Sequence, residues 1–225
     1  ESARERSALL RIAPHMVYPL PILIPTYGHG LKGKAFIGAG MLVYDCITSD
    51  RNTGLLPGHM IPAGKFLTRS ETLRLFPGLE ARGLTGGAVF CDGQVLNPPR
   101  LALSFLRSAA SRGALSFNYV EVKSLIRRNG RVCGVKVVDN LTQKHFEIES
   151  RLVLNAAGPW AHHVLEDSLK LKIKPRPTFS RDLAFVVPRK FGHSTAIAFS
   201  TQSKDSDSIV DRGGRHLFAV PWRYY

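Results

Sequence analysis

The residues best placed to do chemistry lie between positions 151 and 161, where an apolar run meets the start of a helix. Leu152, Val153 and Leu154 are typical of a strand covered on both faces. Residues 156–158 are Ala, Ala and Gly, which let another backbone or a ligand phosphate approach closely. A helix N-terminus behind such residues suits an anion, because free N–H groups and the helix dipole point at it. A tight turn without a ligand is the alternative.

Arginines crowd the last quarter of the chain and offer a second kind of chemistry. A guanidinium can hold a phosphate or a carboxylate through two parallel hydrogen bonds. Each of these arginines fits a solvated basic face equally well. The residues are Arg176, Arg181, Arg189, Arg212, Arg215 and Arg223.

Several common sites are missing from the sequence, which contains no H-E-x-x-H, G-x-S-x-G or C-x-x-C motif. Cys46, Cys91 and Cys133 are far apart and lack metal-ligand spacing, so we expect no metal site and a reducing, cytoplasmic location. Residues 28–33 read G-x-G-x-x-G, but a proline-rich segment precedes them instead of a buried strand. We therefore interpret them as a surface loop and not as a dinucleotide fingerprint.

Composition narrows the class of partner. The 225 residues are 44% hydrophobic and carry 31 Lys and Arg against 17 Asp and Glu, a net charge of +14. Such a balance favours phosphate esters, nucleotides, nucleic acid or an acidic membrane face. A basic, non-catalytic module that binds nucleic acid or membranes is therefore one hypothesis. Both ends of the chain look cut within an element, so we expect a fragment of a longer protein.

The elements that must position these residues begin with a helix over 4–13, closed by Pro14. The segment 17–25 contains three prolines and predicts at most an irregular edge strand, since each proline lacks a ladder donor. Residues 35–46 predict a helix. Its apolar face, Phe36 to Val43, is expected to be buried, with contact to a membrane surface as the alternative.

The middle of the chain predicts short elements. Ser70 is expected to cap a helix over 71–76. Residues 86–95 are expected to form two short strands around a turn at Asp92-Gly93. Pro98 and Pro99 introduce a helix from Arg100 to about Ser111.

Three strand candidates follow closely, which favours an antiparallel meander. The candidates are 115–126, 133–138 and 146–154, and the last runs into the apolar stretch described first. A helix from Trp160 to about Leu169 then follows. Beyond it, further strands are expected at 172–174, 179–188, 196–200 and 216–220.

Seven short motifs follow one another along the chain. They are Ala13-Pro-His-Met-Val-Tyr-Pro19, Val43-Tyr44-Asp45, Phe90-Cys-Asp92, Arg100-Leu101, Asn155-Ala-Ala-Gly-Pro-Trp160, Val186-Val-Pro-Arg189 and Val220-Pro-Trp222. Taken in this order, they resemble the FAD-dependent glycerol-3-phosphate dehydrogenases, within the amino-acid-oxidase-like flavoprotein superfamily. The resemblance runs through nearly the whole chain.

The resemblance implies an α+β or α/β chain. Part of it would be an FAD/NAD(P)-binding-like flavoprotein fold, with a helix, an antiparallel meander and a returning strand, beside a mainly antiparallel β-sheet substrate domain. Residues 1–13 would be a helix of the FAD-binding domain and 98–170 its meander and strand-to-helix motif. Residues 14–97 and 171–225 would build the two parts of the substrate domain.

The implied enzyme oxidises glycerol 3-phosphate to dihydroxyacetone phosphate by hydride transfer to FAD and passes electrons to an acceptor such as quinone. Val122 would meet the adenine end of FAD, and Ala156, Ala157, Gly158 and Trp160 would flank its ribose and pyrophosphate. Arg181 and Arg223 are the expected substrate-binding residues, while the catalytic residue stays unassigned. The implied location is cytoplasmic or peripheral on the inner membrane, and no nucleic acid is expected as a partner.

Departures from the family pattern bear on the substrate. Ala184 stands where the family usually has a histidine, Asn97 where an aspartate is common and Ala157 where a threonine is frequent. A related flavoprotein that oxidises another hydroxy acid or an amine is therefore the alternative. The family's main pyrophosphate loop has no counterpart in these residues, so we expect the 225-residue chain alone not to retain FAD.

Overall fold

The computed structural model describes residues 2–28, 33–170, 183–188, 192–204 and 214–222, which form two compact units. The first unit comprises Glu1–Phe105 and Val186–Tyr225, and the second comprises Leu106–Phe185. The elements are α1 (Ser2–Ile12), β1 (Val17–Tyr27), α2 (Lys34–Ile47), β2 (Lys65–Thr68), α3 (Arg69–Leu75), β3 (Leu84–Val95), α4 (Pro98–Ala110), β4 (Val120–Arg128), β5 (Arg131–Asp139), β6 (His145–Glu149), α5 (Ala161–Leu169), β7 (Ala196–Lys204) and β8 (Gly214–Ala219), with 3₁₀ turns at Pro57–His59 and Gly158–Trp160. None of the helices in the described ranges is long and apolar enough to cross a membrane.

A five-stranded sheet in the order β2-β3-β1-β7-β8 organises the first unit. The prediction of an edge strand at 17–25 is wrong, because β1 lies in the middle, antiparallel to β3 and parallel to β7. Alternate residues of a strand direct their N–H groups to the same edge. Pro19, Pro21 and Pro25 therefore remove donors from one edge only, and the other edge is left to pair with β3. The parallel contact with β7 involves only Ile22 and Leu23.

Strand β3 replaces the predicted hairpin. It runs unbroken through Asp92 and Gly93, which pair with Leu20 and Pro19 of β1, so the turn expected there is wrong. Gly93 provides space for a neighbouring side chain instead of forming a turn. A Cβ on Gly93 would lie 3.2 Å from Cγ of Arg6, so the missing side chain makes room for the Arg6 side chain.

Two apolar clusters hold this unit together. One joins α1 to the sheet and the loop after α2, and the other lies beneath α3. Leu10 in α1 and Ala13 just after it are both buried. The clusters comprise Leu10, Ala13, Met16, Val17, Leu55, Ile61 and Cys91, and Leu23, Phe76, Val89 and Ile197.

Helix α3 begins two residues earlier than expected because Thr68, and not Ser70, is its N-cap. The Thr68 hydroxyl accepts a hydrogen bond from the Glu71 N–H at 3.3 Å, and the Glu71 carboxylate accepts one from the Thr68 N–H at 2.7 Å. This reciprocal capping box satisfies two donors that a helix start otherwise leaves unpaired.

Helix α2 contradicts the expectation that its apolar face is buried. It packs on β3, yet none of its residues is buried. Phe36, Leu42, Val43 and Ile47 are between 58% and 75% exposed. A helix that is apolar on its outer side as well as its inner side needs a further partner.

The second unit contains the predicted antiparallel meander, in which β4, β5 and β6 pair in sequence order. The predicted strand at 152–154 is absent, because residues 152–157 have no regular secondary structure and Leu152 and Leu154 are 83% and 86% exposed. A strand needs a hydrogen-bonded neighbour, and the described residues place none beside 152–154. The assignment of 1–13, 14–97, 98–170 and 171–225 to cofactor and substrate domains stays a prediction.

Candidate functional site

Asn155 shapes the turn that leads into α5. Its Oδ1 accepts a hydrogen bond from the Ala157 N–H at 3.2 Å, and its Nδ2 donates to the carbonyl of Ala161 at 2.8 Å. The Trp160 N–H donates to the Ala157 carbonyl at 3.1 Å and closes the 3₁₀ turn. Sequence reasoning missed this role of Asn155. An Asn followed by small residues and a proline is the signal that could have revealed it, since Asn side chains bond to backbone groups two residues on.

This segment, residues 155–160, is called the open turn below because nothing in the described structure covers it. Ala156 and Ala157 are exposed, and Trp160 is 67% exposed. Gly158 has φ +55°, and a Cβ built on it would meet no atom within 4 Å. Helix α5 also starts without a side-chain cap from its N-cap residue, Trp160, and without an acidic residue in its first turn. The open turn can therefore admit an anionic group to the positive end of a helix.

The meander anchors the helix behind the open turn. The Leu125 N–H on β4 donates to Oγ of Ser168 on α5 at 2.9 Å. Val122, predicted to meet the cofactor, lies on the same strand and is 40% exposed. The structure therefore places all five predicted cofactor residues in the second unit, Val122 on β4 and Ala156, Ala157, Gly158 and Trp160 in the open turn.

A different arrangement surrounds Arg6 in the first unit. Its guanidinium donates to the Tyr44 hydroxyl at 2.7 Å and to the Cys91 carbonyl at 3.2 Å, and it lies 3.4 Å from the Asp92 carboxylate. The Arg6 side chain is only 12% exposed. It thus ties α1 to α2 and β3.

Arg51 makes a second set of contacts beside it. The guanidinium pairs with the Asp45 carboxylate at 3.1 Å and donates to the carbonyls of Thr48 and Ile61, both at 3.2 Å. The Asp45 carboxylate also accepts from the Gly64 N–H at 3.0 Å. We call Arg6, Tyr44, Asp45, Arg51 and Asp92 the arginine network. It brings together family-like motifs that are distant in sequence, and every member is engaged within the protein.

Two pKa shifts in the first unit arise chiefly from burial. Burial raises the pKa of the Cys91 thiol, although the Arg6 guanidinium opposes this. Burial, with the nearby Glu80 carboxylate, also raises the pKa of Tyr27. Both groups stay protonated and uncharged at neutral pH, so neither suits the role of an anionic nucleophile.

The predicted substrate-binding residues Arg181 and Arg223 lie outside the described residues. The same holds for Arg176, Arg189 and Arg212. Ala184, at the position where the histidine was expected, is exposed in a segment of no regular structure between residues 183 and 187.

Comparisons with known proteins define the class as a flavoprotein oxidoreductase. Residues 1–224 match the family model described as DAO, FAD dependent oxidoreductase. The chain therefore belongs to the family of FAD-dependent oxidoreductases, which confirms both the predicted enzyme class and FAD as the family's cofactor.

Two individual relatives have the same printed name, glycerol-3-phosphate dehydrogenase. A glycerol-3-phosphate dehydrogenase of Synechocystis sp. is 38% identical over 73% of this chain and 29% of its own length. One of Mycobacterium leprae is 34% identical over 96% of this chain and 35% of its own length. The chain thus spans about a third of the length of these curated relatives.

The fold agrees with a solved structure. The glycerol-3-phosphate dehydrogenase from Bacillus halodurans, complexed with FAD, superposes with a TM-score of 0.61 at 24% identity, covering 98% of this chain and 36% of that one. The predicted flavoprotein fold is therefore confirmed.

The open turn has the space and the electrostatic environment that the pyrophosphate of FAD needs. FAD carries an anionic pyrophosphate, which needs N–H donors and the absence of nearby carboxylates and bulky side chains. The first turn of α5 has no acidic residue, and the space over Gly158 is empty. In the arginine network, by contrast, each guanidinium already faces a carboxylate of the protein.

Proposed function

We propose that this chain is part of a flavoenzyme that oxidises glycerol 3-phosphate to dihydroxyacetone phosphate. Bound FAD would accept the hydride that leaves C2 of the substrate. The names of the relatives support this substrate, and the observation that carries the cofactor assignment is the uncovered turn at the N-terminus of α5. Oxidation of another hydroxy acid or an amine by a related flavoprotein is the second candidate, which the unusual Ala184 favours.

In this proposal, the open turn holds the cofactor and takes no part in the chemistry. Ala156, Ala157 and Gly158 leave room for the ribose and pyrophosphate, and Trp160 packs beside them. Asn155 keeps the turn in one conformation, so little entropy is lost when the ligand binds. Val122 on the neighbouring meander meets the adenine end.

The substrate's phosphate is assigned to Arg181 and Arg223. The guanidinium is the side chain best suited to a phosphate, because its planar donors match two oxygens at once. The high net charge of +14 would also draw an anionic substrate toward the protein.

The electron acceptor is proposed to be a quinone, reached by peripheral contact with a membrane from the cytoplasmic side. Helix α2 is the element suited to that contact. Its outward residues Phe36, Leu42, Val43 and Ile47 are exposed and uncharged, while its acidic residue Asp45 is held inward by Arg51. An amphipathic or apolar helix lying flat can bury such a face in the lipid interface.

The substrate is tested with the complete, flavin-loaded protein under anaerobic conditions. Glycerol 3-phosphate should bleach the flavin absorbance, whereas glycine and lactate should not. The variants R181M and R223M should raise the substrate concentration needed for half-maximal bleaching at least tenfold, and R82M, at an exposed arginine, should not change it. Bleaching by glycine or lactate alone would overturn the substrate and leave the flavoenzyme class standing.

The membrane contact is tested separately with vesicles of phosphatidylglycerol and phosphatidylcholine. The double variant L42E and I47E should lose co-sedimentation with the vesicles. The matched control L56E and M60E introduces the same two charges at exposed apolar residues outside α2 and should keep it. Equal loss in both variants, or no binding by the unmodified protein, would refute the assignment to α2.

A further inference from the structure

Gln94, near the end of β3, makes a long-range hydrogen bond in the first unit. Its Nε2 donates to the carbonyl of Pro221 at 3.2 Å, and the bond is partly buried. The two residues are 127 positions apart in the chain. Pro221 belongs to the family-like motif Val220-Pro-Trp222, which follows β8 and has no regular secondary structure. A side chain of a central strand therefore holds a segment that lies outside the sheet ladder.

The strand order shows where this segment runs. Strands β1 and β7 lie between β3 and β8, and at about 4.8 Å per strand this separates β3 from β8 by roughly 14 Å. A glutamine side chain cannot span that distance, so the segment after β8 turns back across the sheet. Gln94 pairs with Tyr18 of β1. The chain neighbours Val17 and Val95 pack in the cluster with α1, so Gln94 points to the opposite face of the sheet.

The polar residues on either side of Gln94 have different partners. Asp92 faces the Arg6 guanidinium at 3.4 Å. Asn97 accepts a hydrogen bond from the Arg100 N–H at 3.0 Å through Oδ1, directly before α4, and so caps that helix. These two side chains attach helices to the strand, whereas Gln94 attaches the chain that follows β8.

The bonded carbonyl belongs to the peptide between Pro221 and Trp222. This peptide is planar, so a hydrogen bond to its oxygen fixes the orientation of the whole plane. The ring of Pro221 also sets its own φ near about −65°. Only the two backbone torsions of Trp222 then separate the fixed plane from the peptide that leads to Arg223. Because fewer backbone conformations remain, less entropy is lost when a ligand binds to the residue that follows.

We propose that Gln94 is a positioning residue for the phosphate group of the substrate. It acts through the backbone of residues 220–222, which sets the direction from which Arg223 approaches that phosphate, and it does not touch the substrate itself. The inference rests on the proposed function, in which Arg223 binds the phosphate. The phosphate is remote from C2, so this contact is the same in the ground state and the transition state. Loss of the Gln94 bond should therefore weaken substrate binding without slowing the hydride transfer.

The variant Q94M tests the proposal in the complete, flavin-loaded protein, because methionine keeps the length of the side chain and removes the donor. The glycerol 3-phosphate concentration for half-maximal flavin bleaching should rise about fivefold, and the bleaching rate at saturation should stay within about twofold. The control Q143M removes the same kind of bond, from the Gln143 amide to the Asn140 carbonyl at 3.0 Å in the second unit, and should change neither quantity. Equal behaviour of the two variants, or a loss confined to the rate at saturation, would overturn the proposal.

A double variant separates positioning from a general loss of structure. In the R223M background, Q94M should add nothing to the half-maximal concentration, because no guanidinium is left to position. Additive effects would overturn the proposal, since Gln94 would then act independently of Arg223. Failure of the proposed function gives a different result, because the unmodified protein would then be bleached by glycine or lactate alone. That result would refute the substrate and the phosphate role of Gln94 together, whereas normal bleaching by glycerol 3-phosphate in Q94M would refute the role of Gln94 alone.

Discussion

The arginine network pairs its polar side chains with other groups of the protein, whereas the open turn leaves the start of a helix exposed. In the network, two guanidinium groups are 10% and 12% exposed and make contacts with carboxylates, a hydroxyl and carbonyls of the protein itself. In the open turn, small residues leave a helix start uncovered. Residues of both regions belong to family-like motifs, so motif membership alone does not separate residues that hold the fold from residues that hold a ligand. What a side chain contacts separates them.

The largest effect on stability is expected when Arg51 is replaced. The variant R51M leaves Asp45 partly buried without its partner and frees the carbonyls of Thr48 and Ile61, so the free energy of unfolding should fall by about 3 kcal/mol. The control R82M, at an exposed arginine, should change it by less than about 0.5 kcal/mol. Equal shifts in urea denaturation of the two variants would mean that the network contributes little to stability.

The second test compares two glycines that have equal room but different backbones. A Cβ at Gly158 or at Gly40 would meet no atom within 4 Å, but Gly158 has φ +55° whereas Gly40 lies inside α2. G158A should therefore lower the free energy of unfolding by about 1 kcal/mol, because the left-handed conformation strains an L-residue. G40A should raise it by roughly 0.5 to 1 kcal/mol. Thermal denaturation of both variants decides, and shifts of the same sign would contradict the backbone argument.

The smallest expected effect is on the free energy of unfolding at acidic pH. Hydrogen bonds from the backbone and side chain of Thr68 hold the pKa of Glu71 below its ordinary value of 4.5. A depressed carboxyl pKa stabilises the folded state above the unfolded pKa, and this contribution is lost as the pH falls through the folded pKa. The free energy of unfolding should thus decline below about pH 4.5, and less steeply in E71Q, which keeps the cap but cannot titrate.

Two other carboxyl groups share this acid dependence, so E71Q should remove only part of it. Hydrogen bonds from Thr142 and Leu141 lower the pKa of Asp139, and those from Lys123 and Asn140 lower that of Glu121. The free energy of unfolding is measured against pH between about pH 3 and 6. If its slope is the same in E71Q as in the unmodified protein, the titration of Glu71 does not contribute to the loss of stability in acid.

The sequence predicted the order of elements well where periodicity was clean. The first helix, the helix α2 and the helix after Gly158 are present within a few residues of their predicted bounds. The meander is also present, but its first strand begins at Val120 instead of 115 and its third strand ends at Glu149 instead of 154. The failures have physical causes. Three prolines in one segment predict an edge strand, but at alternate positions they remove donors from one edge only. Asp92-Gly93 predicts a turn, because a glycine that makes room for Arg6 looks the same in sequence.

The site was harder to predict than the fold because exposure and contacts are not encoded locally. The small residues of the open turn could be recognised from their types and their place before a helix. The strand at 152–154 could not be judged, since its pairing depends on a neighbour elsewhere in space. The engagement of Tyr44 and Asp45 with arginines from other elements was likewise invisible in the sequence.

The most direct test of the account is the affinity of the complete protein for FAD when the open turn carries a negative charge. A157E introduces a carboxylate beside the proposed pyrophosphate position, and the dissociation constant measured by flavin fluorescence should rise more than tenfold. The control T53E adds the same charge at an exposed residue of the first unit and should leave it unchanged. Equal affinity in A157E and the unmodified protein would contradict the assignment of the open turn to FAD.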